Sequence, residues 1–303
     1  MCGIAGLYLK NERLRPRLGE LFTPILVELT DRGPDSAGIA VYRDPVAENA
    51  VKLTVHHADQ GFAWDGLVRH LKEGLGVEVA DHPHDTHHVL VLDGKVDADA
   101  AAALVEAYDP GLQVMSAGHV IEIYKEMGLP AEVARRFDAK GMAGTHAVGH
   151  TRMATESAVT TAGSHPFSTG LDLCLVHNGS LSNHNGLREK LKRNGVPPFR
   201  TDNDTEVAAA YLAWRMKEGR TLHEALQDGL NDLDGFYTFV AGTADGFAVM
   251  RDPIACKPAV LAETDDYVAF GSEYRALVRL PGIEHAKVWE PEPAVVYSWG
   301  GRA

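Results

Sequence analysis

The second residue of the chain is a cysteine, in the opening run MCGIAG. A small side chain at that position is compatible with removal of Met1 during synthesis. Cys2 would then carry both a thiol and a free α-amino group. Their ordinary pKa values, about 8.5 and about 7.7–8.0, place a nucleophile and a base suited to neutral pH on one residue. This supplies the activation that other cysteine enzymes take from a histidine. Gly3 and Gly6 allow close backbone approach. Ile4, Ala5, Leu7, Tyr8 and Leu9 read as a buried strand that holds the terminus in the core. Taken alone, Cys2 is equally a small residue after a start codon, with no chemical role.

Further polar groups stand at the ends of apolar runs. Arg32 and Asp35 lie in RGPDS. Arg152, Thr155 and Glu156 lie in GHTRMATE. His165 lies in GSHPF, His177, Asn178 and Gly179 in HNGS, and Asp204 in TDNDTE. Each has a plain structural explanation. Arg32 and Asp35 could form an ion pair, His177 could be a satisfied core histidine, Asp204 a helix cap, and Asn-Gly a turn.

The elements that must position these groups follow from periodicity. Residues about 16–31 step in threes and fours through Leu18, Leu21, Phe22, Ile25, Leu26 and Leu29, a helix that Pro24 shortens or kinks. Gly33-Pro34-Asp35 is a turn signal, and Gly38–Tyr42 is a strand. Between about 45 and 144, Val51–Val55 and Val89–Leu92 read as strands. In that stretch Phe62–Lys72, Ala98–Ala107, Ala117–Met127 and Ala131–Phe137 read as helices. DHPHDTHH, with His82, His84, His87 and His88, reads as a solvated loop, since no helix sets the spacing a metal would need. Thr145–Thr151 is a strand ending at Arg152. LDLCLV is a buried strand that delivers a turn at His177-Asn178-Gly179. Asn183–Asn194 is a helix stopped by Gly195. Asn203 with Glu206, and Thr221 with Glu224, have capping-box spacing. Phe236–Gly242, Gly246–Arg251, Ala259–Ala262, Tyr267–Gly271 and Val295–Trp299 are strands. The pattern predicts one layered α+β domain over residues 1–303, with mainly antiparallel sheets and an insertion at about 45–144.

The totals exclude several classes of function. A chain of 303 residues with 45% hydrophobic and 23% charged residues is globular. Its formal net charge of −13 argues against nucleic-acid or anionic-membrane partners. No apolar run reaches the roughly 18–20 residues of a membrane span, and no signal peptide is recognisable. Three cysteines, Cys2, Cys174 and Cys256, make neither a disulfide framework nor a metal site. Cys174 reads as core and Cys256 as a turn residue without a role. A cytoplasmic location is predicted, where Cys2 stays a thiol.

The segments MCGIAG, RGPDSAG, GHTRMAT, SHPF, HNGS and DNDTE, in that order, resemble the class II glutamine amidotransferases, whose amidotransferase domain is an N-terminal-nucleophile hydrolase. RDPIACKPAV to FGSEYRAL is similar to a hairpin of that family. The resemblance covers roughly residues 1–44 and 145–280. GHTRMATESAVTTAGSHPFSTG and CLVHNGSLSNHN are most similar to the separate amidotransferase subunit of N-methylglutamate synthase and glutamate-synthase-like complexes. The fold it implies is a four-layer αββα sandwich, with two mainly antiparallel sheets between helix layers.

The resemblance also implies roles. Cys2 attacks the side-chain amide of L-glutamine, its own amine relaying the proton. The Asn178 side chain and the Gly179 N–H hold the oxyanion. Arg152 clamps the α-carboxylate, which suits its planar fork. Asp204 receives the α-ammonium, Thr155 and His165 line the pocket, and Arg32, Asp35 and His177 support it. Met153 replaces an aromatic residue found in many members. No metal is implied. FMN and iron–sulfur clusters are expected in partner synthase subunits, since three cysteines cannot hold a four-cysteine cluster.

This reading makes the chain a glutaminase that passes ammonia to a separate synthase subunit. No glycine-rich phosphate loop follows a strand to provide the acceptor chemistry here. A glutamine-binding regulatory subunit of the same fold and a stand-alone amide hydrolase are the two alternatives. Met1 removal separates the first of them from the enzyme, because a retained Met1 blocks the amine.

Overall fold

The computed structural model describes residues 2–154 and 159–301. In chain order the first elements are β1 (Gly3–Leu9), α1 (Leu18–Glu28), β2 (Ser36–Tyr42), β3 (Ala50–His56), α2 (Trp64–Leu75), β4 (Glu78–His84), β5 (His87–Asp93) and α3 (Ala98–Tyr108). They are followed by β6 (Gln113–Gly118), β7 (Ile121–Met127), α4 (Pro130–Arg136), β8 (His146–Arg152), β9 (Phe167–Gly170), β10 (Leu173–Leu181), α5 (His184–Arg193), α6 (Asp204–Lys217) and α7 (Leu222–Asp232). The last are β11 (Gly235–Thr243), β12 (Gly246–Arg251), β13 (Val260–Glu263), β14 (Tyr267–Gly271), β15 (Lys287–Trp289) and β16 (Val296–Gly300).

β1 sends alternate side chains into two cores, as a strand buried on both faces must. Ala5, Leu7 and Leu9 pack with Phe22 and Ile25 of α1 and with Val133 of α4. Ile4 packs the other way, in a cluster with Val148 of β8, Val176 of β10, and Val240 and Phe247. That second cluster is the seam between two sheets. The first sheet has the order β15-β13-β14-β1-β8-β2-β7, and the second β16-β12-β11-β10-β9. The outer face of the second sheet packs on α5, α6 and α7 through Leu187, Tyr211 and Leu226. The layers therefore run helix, sheet, sheet, helix, the αββα sandwich that the family resemblance implies. Every named strand pair is antiparallel.

Within residues 45–144 lies a third sheet, β4-β5-β3-β6. It has its own core, in which Leu53 and Leu90 meet Leu67 and Leu71 of α2 and Ala101 and Val105 of α3. Lys52 of β3 pairs with Glu122 of β7 at 2.9 Å, both nearly inaccessible, and Arg43 reaches the same carboxylate at 3.2 Å. Burial alone would raise the Glu122 pKa, but these two cations hold it below the usual range. The ion cluster ties the inserted sheet to the first sheet.

Several expectations are corrected. Ala117–Met127 is not a helix: it is the end of β6 and all of β7. Ile121 and Ile123 alternate with charged residues, and β7 pairs with β2 over its whole length. The Asp172 carboxylate accepts hydrogen bonds from the N–H groups of His119, Val120 and Ile121, which fixes the turn between the two strands. DHPHDTHH is not a solvated loop but the tip of the β4–β5 hairpin. Asp85 at φ 59° makes its turn. His87 is fully buried, and the His88 ring stacks on Trp64 at 3.7 Å while its Nδ1 meets Asp81 at 2.7 Å. Among the described residues no cluster of metal-ligating side chains occurs.

HNGS is not a turn, because β10 runs on to Leu181 and pairs Asn178 with Thr238 and Gly179 with Tyr237. Asn203 caps α6 by accepting from Thr205 N at 2.9 Å, yet Glu206 does not close a capping box. Its carboxylate accepts from Arg200 N and Thr201 N instead. Thr221 and Glu224 do form the box. Cys174 is buried, with the Tyr42 hydroxyl donating to its sulfur at 3.3 Å, and Cys256 is exposed.

Candidate active site

Cys2 stands one residue ahead of β1, whose first pairing is Gly3 with Thr151. The cysteine is thereby set beside the end of β8, where Arg152 is the last strand residue. The pairing is close: a Cβ on residue 3 would meet Thr151 Oγ1 at 2.6 Å. Cys2 is half-buried, and its sulfur lies 3.9 Å from the Met153 carbonyl oxygen.

The RGPD turn braces both chain ends that meet here. Arg32 Nε donates to the Cys2 carbonyl oxygen at 3.1 Å, and its Nη1 pairs with Glu273 at 2.6 Å. Asp35 accepts from Ala154 N at 2.8 Å, while its own N–H donates to the Arg152 carbonyl at 3.1 Å. An Arg32–Asp35 ion pair is therefore not what the turn provides. Arg32 holds the backbone carbonyl of Cys2 itself, and Asp35 holds the strand end that carries Arg152.

The second sheet contributes β10. His177, Asn178 and Gly179 lie on it in succession, and His150 of β8 donates from Nε2 to the His177 carbonyl at 3.0 Å. That hydrogen bond links the two sheets. Asn178 is buried, and its amide nitrogen has no hydrogen-bond partner among the described residues. Leaving a buried donor unpaired costs about 1–3 kcal/mol, so such a group marks a donor reserved for something else. Gly179 has φ 145°, and a Cβ there would collide with the Phe236 carbonyl oxygen.

Beneath these strands lies a hydrogen-bonded cluster at the start of α6. His177 Nδ1 is 3.0 Å from Thr205 Oγ1 and 3.6 Å from Asp204 Oδ1. Asp204 Oδ2 accepts from Leu181 N at 2.8 Å. Burial pushes the Asp204 carboxyl up, but the adjacent His177 imidazole and the Leu181 N–H outweigh it and bring the pKa to about 2. His165 approaches Thr205 Oγ1 at 3.4 Å, and its ring stacks on His150 at 4.0 Å. Burial pushes His150 to about 3 and His165 well below the usual imidazole range, so both are neutral at pH 7.

Cys2, Arg32, Asp35 and Arg152 thus gather at one end of the first sheet. His165, His177, Asn178, Gly179 and Asp204 gather on and beneath the facing strand. Thr155 lies outside the described residues. Sequence reasoning missed His150 and Thr205. His150 is two residues from Arg152 on the same strand face, and Thr205 sits inside DNDTE, so period and proximity were available signals.

Comparison with known proteins now bears on this geometry. The glutamine amidotransferase domain family matches residues 131–291. The glutamine amidotransferase-like protein GlxB of Rhizobium meliloti is 58% identical over 299 residues, covering 99% of this chain and 98% of that protein. The chain belongs to the class II glutamine amidotransferases. This amidotransferase is also 36% identical over 159 residues to the amidophosphoribosyltransferase of Synechocystis, across 50% of this chain and 32% of that one. Among solved structures, the glutamine phosphoribosylpyrophosphate amidotransferase of B. subtilis has the same fold. It superposes with a TM-score of 0.61 at 20% identity, over 99% of the amidotransferase described here and 49% of that chain. The amidotransferase thus spans about half the length of that solved relative. The stretch matched by the family includes Arg152, His165, Asn178 and Asp204. Among the described residues no helix of the amidotransferase is long and apolar enough to cross a membrane.

Proposed function

We propose that this amidotransferase is the glutaminase subunit of a larger complex and passes ammonia to a separate synthase subunit, of the N-methylglutamate synthase or glutamate-synthase-like kind. The Cys2 thiolate attacks the side-chain amide carbon of L-glutamine, and the α-amine of Cys2 takes the thiol proton. The oxyanion is held by the Asn178 amide and the Gly179 N–H. The C–N bond then breaks, and ammonia leaves with a proton returned by the amine. Water cleaves the thioester to give glutamate. Arg152 binds the α-carboxylate of the substrate and Asp204 its α-ammonium. Thr155 and His165 line the pocket, and Arg32, Asp35 and His177 hold it in place. FMN and iron–sulfur clusters belong to the partner.

The observation that carries this reading is the buried amide nitrogen of Asn178, without a partner among the described residues, on the strand that His150 joins to the one ending at Arg152. The ionised Asp204 alongside suits an ammonium group. The 58% identity to GlxB over 99% of this chain supports the amidotransferase reading. Ammonia release by the isolated chain, measured with and without its co-purified partner, tests the coupling. Turnover should rise with partner, and the complex should show a flavin spectrum. Equal turnover in both, or ammonia release by Cys2→Ala, overturns the proposal.

A further inference from the structure

Residues 160–166 lead into His165 and lie flat across β2 and β7. The contact leaves no room for a side chain at Gly38, where a Cβ would collide with the His165 carbonyl oxygen. Lys125 faces Gly38 across the β2–β7 ladder. It is buried, and its Nζ donates to the carbonyl oxygens of Ala162, Ser164 and Pro166 at 3.2, 2.7 and 3.2 Å. All three N–H bonds of the ammonium are used on one short segment. The next residue grips the same segment, Glu126 accepting from Thr161 Oγ1 at 2.5 Å. On its far side the Asn203 amide donates to Gly163 O at 3.4 Å.

The segment so held borders the site. A Cβ on Gly163 would lie 3.6 Å from Arg152 Nη1, and His165 stacks on His150 and meets Thr205. We propose that Lys125 is a positioning residue for glutamine binding, acting through the three carbonyls to fix the wall that carries His165 and flanks Arg152. The proposal rests on the assignment of this site to glutamine. It also gives the stretch at about 45–144 a part in the site, since its strand β7 supplies the clamp.

A buried cation held by three carbonyls is replaced by Met in Lys125→Met, which keeps the length of the side chain and removes the donors. The KM for glutamine should rise about tenfold while kcat stays within about twofold, the signature of lost ground-state positioning. A second readout uses the Cys2 thiol directly. Alkylation by a diazoketone bearing the α-amino and α-carboxyl groups of glutamine should slow about tenfold, and alkylation by iodoacetamide should keep its rate. Thr161→Val removes only the hydroxyl that Glu126 holds, and it should shift KM in the same direction by a smaller factor with an unchanged Tm.

Two outcomes overturn the proposal. One is an unchanged KM in both variants. The other is an equal loss of both alkylation rates in Lys125→Met, which marks general disruption. Failure of the underlying assignment looks different. In that case the diazoketone would label Cys2 of the wild-type protein no faster than iodoacetamide, with Lys125 intact.

Discussion

His150 Nε2 lies 3.0 Å from the carbonyl oxygen of His177, and the two residues belong to different sheets. A carbonyl only accepts, so Nε2 carries the proton and the ring is held in one tautomer. The bond sets the height of β10 over β8, and so the height of Asn178 over the strand that ends in Arg152. His150→Leu removes the donor and leaves a buried carbonyl unpaired. The expected cost is about 1–3 kcal/mol of stability, read as a lower denaturant midpoint, together with reduced glutamine turnover in the fraction that remains folded.

Asn178 and Gly179 are expected to fail in different ways. The Asn178 amide nitrogen has no partner to lose among the described residues, so Asn178→Ala should leave Tm within a few degrees. It should lower kcat by about 10²–10³, the usual range for one oxyanion donor. Gly179→Ala meets the Phe236 carbonyl and a φ of 145° at once. It should cost both stability and activity, through displacement of β10 from β11. Parallel measurements of Tm and kcat on the two variants separate these mechanisms.

How much of this was legible in the chain depended on what kind of signal each residue gave. Strands that bury both faces, such as LCLV at Leu173–Val176, announce themselves by unbroken apolar runs, and the Thr221–Glu224 box by spacing alone. IEIYKEM, expected as part of a helix, carries charged residues whose partners no local window shows. In the fold Glu122 is neutralised by Lys52 and Arg43, and Lys125 is used on backbone carbonyls. Both partnerships are long-range, so no local window contains them. HNGS suggests a turn for the same reason. Asn-Gly has turn chemistry, and only the pairing with β11 shows that the glycine serves a strand. The candidate polar groups stand out in the chain because each lies at the end of an apolar run. The Arg32–Glu273 pair, 241 positions apart, was not.

The Arg32 guanidinium is expected to act on Cys2 rather than on substrate. It reaches the Cys2 carbonyl and Glu273 together, from two nitrogens of one plane. Lysine cannot reproduce that fork. Arg32→Lys should therefore slow Cys2 alkylation and lower kcat several-fold. Arg152→Lys should instead raise KM for glutamine by about 10-fold or more, with little change in alkylation by iodoacetamide, if Arg152 binds the carboxylate. Steady-state kinetics beside thiol-labelling rates distinguish the two arginines.

Acid should destabilise this protein well above the carboxylate range. Burial pushes His146 and His150 to about 3 and His165 well below the ordinary imidazole value. In the unfolded chain each binds a proton near pH 6.5, while in the folded chain each stays neutral. The unfolded state therefore takes up more protons as pH falls from 6.5 toward 3, and stability must drop across that window. A histidine that stays neutral in the fold contributes a loss of about 2 kcal/mol between pH 7 and pH 5. Carboxylates act later: Asp204, brought to about 2, adds its loss only as pH falls below about 4. Thermal or denaturant unfolding at pH 7, 6 and 5 reads the imidazole contribution above the range in which Asp204 titrates. His146→Phe tests the assignment, because that ring stacks on Tyr42 away from the site and an aromatic replacement keeps the stack. Its stability should fall less steeply between pH 7 and 5 by about one proton, roughly 1.4 kcal/mol per pH unit at the lower end. An unchanged slope would mean that the His146 ring takes up its proton in the folded protein over the same pH range as in the unfolded chain.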